Sequence, residues 1–217
     1  MLMSNSHPEH PNLRVVEHPL ISVKLGRLRD KRTSSDDFRR LLDQIAGLMV
    51  YSVSEGLETS SVEIETPLEV TQGKILSKPV TLVPILRAGI GMTDGILALM
   101  PEARVGHIGV YRDEERHTPV AYYEKFPGDI SAGPVLIVDP MLATGGSATY
   151  VASRLRKAGC KQIGMVCLVA APEGVAVMAA EHPEVTIFTA SLDRELSDRA
   201  YILPGLGDAG DRIFGTQ

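Results

Sequence analysis

The sequence predicts an α/β fold with a mainly parallel sheet flanked by helices. Three observations carry that expectation. Short apolar runs of four to eight residues recur from Val80 onward, and three of them (80–85, 135–138 and 163–170) are followed by a turn and a helical segment. The run Val135-Leu136-Ile137-Val138 is apolar throughout and does not alternate, as a strand buried on both faces should be. Polar or small residues (Arg87, Arg112, Asp139) stand just after the runs, where ligands bind in such sheets.

Composition narrows the class. In 217 residues, 44% are hydrophobic and 23% charged, the balance of a globular chain long enough for one domain over 1–217. No apolar run reaches the ~20 residues of a membrane span, and no signal-peptide core follows Met1, so a cytoplasmic protein is expected. The net charge of −5 argues against a nucleic-acid partner. Cys160 and Cys167 show no metal-binding spacing and read as reduced core thiols.

The elements follow in order. Residues 1–12 are polar and read as a flexible tail, and His18 to Arg32 as an N-terminal arm with a short helix. Ser34 or Ser35 can cap a helix from Asp36 to about Leu57, whose apolar face is Phe38, Leu41, Leu42, Ile45, Leu48 and Met49. Period-two alternation around Pro67, from Val62 to Val70, gives an exposed strand or β-hairpin. Strands are expected at 80–85, 104–111, 135–138, 163–170 and 185–189, with helices at 92–99, 147–158 and 173–180. The charged segment 112–127, extended at 120–123, is placed where an active-site lid would sit.

The loop Asp139-Pro140-Met141-Leu142-Ala143-Thr144-Gly145-Gly146-Ser147 lies between a strand and a helix N-terminus. It contains no lysine, so it is not a nucleoside-triphosphate loop. Its amides and the hydroxyls of Thr144 and Ser147 suit a single phosphate, and Asp139 suits neighbouring hydroxyls. The guanidinium of Arg87, before the small residues Ala88 and Gly89, suits phosphate oxygens. Gly205-Leu206-Gly207-Asp208-Ala209-Gly210 spells a dinucleotide fingerprint, but only seven residues follow it, too few for the helix, strand and acid that site needs.

The string from Val138 to Ser147 closely resembles the ribose-phosphate loop of uracil phosphoribosyltransferases. Three further stretches are similar to the same family: Val83 to Gly89, Leu168 to Gly174 and Tyr201 to Arg212. The resemblance runs from about His18 to the C-terminus. It implies a type I phosphoribosyltransferase-like fold with a C-terminal glycine-rich base-binding segment. It also implies transfer of ribose 5-phosphate from 5-phosphoribosyl 1-pyrophosphate to uracil, giving UMP in pyrimidine salvage, with Mg²⁺ as cofactor. Asp139 would then hold the ribose hydroxyls, Pro140 to Ser147 the 5′-phosphate, and Arg87 and Arg112 the pyrophosphate. Backbone at Ile202, Gly207 and Ala209 would read the uracil edge. Asp208 would lie near the ribose and the Mg²⁺, which is held mainly through pyrophosphate and ribose. Asp139, Arg87 and Asp208 are the catalytic candidates. The apolar N-terminal helix and the hairpin suit a symmetric dimer, so a homodimer or higher homo-oligomer is expected as partner, and GTP is left open as an activator. An RNA-binding regulator of the same fold and a phosphoribosyltransferase for another base are the rival readings. The chain departs from the family at Ser197 and Ala200, where Asn and Gly are usual, and the second change matters if that backbone needs a positive φ.

Overall fold

The computed structural model describes residues 6–7, 9–112 and 119–216. A two-residue strand β1 (Ser6–His7) and strand β2 (His10–Val15) come first. Helices α1 (Pro19–Arg29) and α2 (Ser35–Ser54) follow, then the antiparallel hairpin β3 (Thr59–Glu65) and β4 (Val70–Leu76). Next are β5 (Thr81–Leu86), a 3₁₀ turn over Ala88–Met92, α3 (Thr93–Leu99), β6 (Arg104–Val105), β7 (His107–Arg112) and β8 (Pro119–Lys125). The second half runs β9 (Val135–Val138), β10 (Met141–Leu142), α4 (Gly146–Lys157), β11 (Ile163–Ala170), α5 (Pro172–Glu181) and β12 (Thr186–Leu192). A small hairpin, β13 (Glu195–Leu196) and β14 (Ile202–Leu203), and α6 (Ala209–Phe214) close the chain.

The main sheet has the order β1-β2-β12-β11-β9-β5-β7-β8, and it is parallel from β2 to β7. Its two faces use alternate residues of the same strands. Leu82, Leu136, Val138, Val166 and Leu168 pack with α1, α2, α3 and α6. Val83, Ile85, Val135, Ile137, Met165 and Cys167 pack with α4 and α5. Continuous apolar runs are therefore what two covered faces require. Both cysteines are free and buried, and burial pushes the Cys167 thiol up to about 12.

Four sequence expectations need correction or extension. Residues 10–12 do not fray: they begin β2, whose Leu13 is fully buried and whose backbone pairs with Ile187 to Thr189 on the edge of β12. Residues 119–125 form β8, hydrogen-bonded to β7, so the expected lid is partly sheet, while residues 113–118 and the Arg112 side chain lie outside the described residues. A helix does form at the C-terminal fingerprint, α6, but it starts inside the motif at Ala209 and spans six residues. Ser34 occupies the N-cap of α2 without a side-chain capping bond.

Candidate active site

The strand order reverses between β5 and β9. From β5 the chain passes through α3 to β7 on one side, and from β9 through α4 to β11 on the other. Helices diverge above such a point and leave a crevice beyond the strand ends. Pro84 and Val138 are paired in register, so Arg87 and Asp139 leave neighbouring strands at that crevice. Gly89 keeps the two turns close: a Cβ there would sit 2.3 Å from the Val138 carbonyl oxygen.

Asp139 is only partly exposed, and its Oδ1 accepts a hydrogen bond from the Met141 N–H at 3.2 Å. Burial raises its carboxyl to about 7, against the lowering effect of that N–H, and the negative charge of Asp208 raises it further. The loop beyond it is anchored through its backbone. The Pro140 carbonyl accepts from Leu168 and Val169 at 3.0 and 3.1 Å, and the Leu142 carbonyl accepts from Ala171 at 2.9 Å. Met141 and Leu142 form β10 against Val169 and Ala170 of β11. The Leu142 side chain is fully in the core on the α4–α5 face, and the part-buried Ala143 packs against the core of the opposite face, so both offer the cleft mainly backbone. Thr144 and Ser147 are exposed, and Gly145 takes φ +83° as N-cap of α4. The first-turn amides of α4 therefore point at one exposed spot flanked by two hydroxyls, an anion cradle.

Gly174 explains why the stretch after β11 matters. A Cβ on it would lie 2.3 Å from the Ala143 carbonyl oxygen, so α5 buttresses the cradle by direct backbone approach. Sequence reading singled out this stretch without its mechanism.

The C-terminal segment reaches the same crevice. Arg87 Nη2 lies 3.7 Å from Asp211 Oδ1 and near Gly210, with its guanidinium 5.7 Å from the Phe214 ring. Asp208 is exposed and caps α6 by accepting from the Asp211 N–H at 2.9 Å. Ile202 is buried within β14, and Gly207 has φ +80°. Ala209 is buried as the first residue of α6, so its N–H has no intrahelical acceptor. Asp139, Arg87, Asp208 and the 140–147 and 202–209 backbones are thus gathered at one end of the sheet, while only the backbone of Arg112 is placed, ending β7 opposite Pro119. Among the described residues no group of three or more His, Cys, Asp or Glu side chains is assembled.

Residues 15–216 match the family model described as Uracil phosphoribosyltransferase. The chain belongs to the uracil phosphoribosyltransferase family. It is 56% identical over 205 residues to the uracil phosphoribosyltransferase of Streptococcus agalactiae serotype III, covering 94% of this chain and 98% of that one. It is 53% identical over 204 residues to that of Dictyoglomus thermophilum, covering 94% and 99%. Among solved structures, the AQ2163 protein from Aquifex aeolicus aligns with a TM-score of 0.90 at 33% identity, covering 94% of this chain and 99% of that one. A hypoxanthine-guanine phosphoribosyltransferase from Bacillus anthracis aligns at a TM-score of 0.50 and 9% identity over 74% of this chain and 79% of that one, a likeness of fold alone. The fold is that of the type I phosphoribosyltransferases.

Two supports escaped sequence reading. Arg29 of α1 and Asp193, just after β12, form a bidentate pair at 2.6 and 2.7 Å. Arg212 donates to the Leu206 carbonyl at 2.8 Å and to the Asp30 carbonyl at 2.7 Å, with its guanidinium 4.4 Å from the Phe38 ring centre. The Arg29–Asp193 and Arg212–Asp30 contacts have no local signal, because their partners lie 164 and 182 residues apart along the chain.

Proposed function

We propose that the crevice above β5 and β9 transfers ribose 5-phosphate from phosphoribosyl pyrophosphate to uracil, releasing pyrophosphate and forming UMP. The observation that carries this reading is the meeting of three recognition elements at one switch point. They are the α4 cradle, the Asp139 carboxyl beside Arg87, and the C-terminal backbone segment.

In this assignment the amides opening α4, with Thr144 and Ser147, take the 5′-phosphate. Asp139 accepts from the ribose hydroxyls. Those donors favour its ionised form and so offset the burial that raises it. Arg87 and Arg112 meet the pyrophosphate as planar donors. The Gly207 and Ala209 N–H groups, with the Ile202 carbonyl, match the acceptor–donor–acceptor edge of uracil. Cytosine presents an amino group there and leaves buried polar groups unpaired.

The reaction asks for neutralisation of departing charge and exclusion of water around a cationic sugar, more than for a strong base. Asp139 and Asp208, close enough for one charge to raise the other, supply hard carboxylate oxygens of the kind Mg²⁺ takes. Two such groups suit an ion whose other ligands come from pyrophosphate and ribose. When bound, Mg²⁺ supplies positive charge to the leaving group. Exposed apolar side chains along the β3–β4 hairpin (Ile64, Leu68, Val70, Ile75) support a homo-oligomer. Among the described residues no helix is long and apolar enough to cross a membrane.

The test is product formation from phosphoribosyl pyrophosphate and Mg²⁺ with uracil, cytosine, hypoxanthine, adenine or orotate, with GTP added in a parallel series. UMP from uracil alone is expected. A nucleotide of another base would sink the assignment of 202–209 and leave the cradle standing.

A further inference from the structure

The Arg29–Asp193 pair is built more carefully than a surface ion pair. The Asp193 side chain is 2% exposed and that of Arg29 is 20% exposed. Burial alone would raise the Asp193 carboxyl, but hydrogen bonds from Arg29 and Ser191, the Arg29 charge and the Gly205 N–H hold it below the usual range. Ser191 Oγ donates to Asp193 Oδ1 at 2.8 Å. Each member of the pair also binds the same third residue. The Gly205 N–H donates to Asp193 Oδ2 at 2.9 Å, and the Gly205 carbonyl accepts from Arg29 Nη1 at 2.6 Å.

Gly205 stands between Ile202 and Gly207. It takes φ +61°, and a Cβ on it would come within 2.1 Å of the Ile202 carbonyl oxygen. Both polar groups of this one peptide position are therefore fixed by a buried fork of charge. Stability alone gives little reason for such a fork, since a well-packed apolar pair often does as well. Direction is what an apolar pair lacks: it cannot hold an N–H and a C=O at set angles.

We propose that Arg29 and Asp193 are positioning residues for the base: through Gly205 they set the spacing at which the 202–209 backbone meets uracil. They touch neither base nor sugar. The inference rests on the reading of 202–209 as the base-recognition segment.

The test uses the full chain carrying Asp193→Asn or Arg29→Lys. Asparagine can still accept the Gly205 N–H but loses the charge, and lysine keeps the charge but loses the fork. The expected result is a KM for uracil raised about tenfold or more in each variant, the scale of misplacing a recognition group. Discrimination of uracil against cytosine falls with it. The dissociation constant for phosphoribosyl pyrophosphate with Mg²⁺, measured by calorimetry without base, stays within about twofold, because the sugar site is not held by this pair. A merely structural role would lower the active fraction and thermal midpoint while leaving the uracil KM unmoved. That outcome, or an equal loss of phosphoribosyl pyrophosphate affinity, overturns the proposal. If only one variant folds, its uracil KM decides; if neither folds, the pair is a folding element and the positioning role is refuted. Wild-type protein that turns over a different base would instead overturn the underlying reading of 202–209, before any variant is made.

Discussion

Asp139→Asn should damage activity and improve stability, and the second effect should depend on pH. The Asp139 carboxyl ordinarily titrates near 3.8 and stands at about 7 in the fold. Between those values the folded protein binds more protons than the unfolded chain, so stability falls as pH rises through that window and the loss is complete above about 7. At about 1.36 kcal/mol per unit, the fully developed cost is about 4 kcal/mol, of which about 2 to 3 kcal/mol accrues between pH 5 and 8. Partial exposure of Asp139 calls for a discount of about half, leaving roughly 1 kcal/mol or a little more. Asparagine has nearly the same shape and no charge to bury. For a chain of this size that difference moves the thermal midpoint by roughly 2 to 5 °C. Melting both proteins without substrate across this range should therefore show the variant gaining on wild type as pH rises. Parallel midpoint curves would refute the burial argument. With substrates, the same variant should lose about 10²-fold in kcat/KM, the scale of one preorganised polar contact. Full activity would remove Asp139 from the sugar site.

Arg87→Ala should also lower kcat/KM by about 10²-fold while shifting stability by no more than about 0.5 kcal/mol, because the side chain is largely exposed and its 3.7 Å approach to Asp211 is a weak surface pair; an unchanged kcat/KM for phosphoribosyl pyrophosphate would clear it of that role. Ala200→Gly should raise stability by about 0.5 to 1 kcal/mol, since Ala200 holds φ +61°, a left-handed conformation that costs a residue with a Cβ roughly 1 to 2 kcal/mol and glycine little. A thermal midpoint no higher than wild type would contradict it.

The parallel strands and the cradle were legible because they depend on near neighbours in the chain. An all-apolar run of four residues, such as Val135 to Val138, reports burial on both faces without reference to any partner. The glycines and hydroxyls of 143–147 report a helix N-terminus for the same reason. Strand β2 was missed because its apolar residues Leu13 and Val15 are too few to make a pattern, and the edge of β12 supplies its hydrogen bonds. Tertiary context overrode a polar local sequence. The hairpin of Thr59 to Leu76 was visible only in its middle, where hydrophobic and polar residues alternate around Pro67.

The 202–209 segment, proposed to read the base, shows where local reading stops. Its letters spell a dinucleotide motif that the chain does not complete, and only the likeness to a family points to uracil. What gives the segment one conformation is remote in sequence: Arg29 lies 176 residues from the Gly205 carbonyl it binds, and Asp30 lies 182 residues from Arg212. A single arginine at the end of α1 gives no sign of such a partner. The departure at Ala200 has the same character. As a letter it is a small change from glycine; at φ +61°, in a turn closed by the Ala200 N–H donating to the Ser197 carbonyl at 2.8 Å, it is a strained residue two positions before Ile202. Ser197 keeps one element of order there, since its Oγ accepts from the Tyr201 N–H at 3.1 Å. On the proposed assignment, the groups offered to the 5′-phosphate lie in the contiguous stretch 140–147, whereas the base segment depends on contacts that only the folded chain brings together. Substitutions far from the cleft should accordingly alter base affinity more readily than affinity for the phosphoribosyl donor.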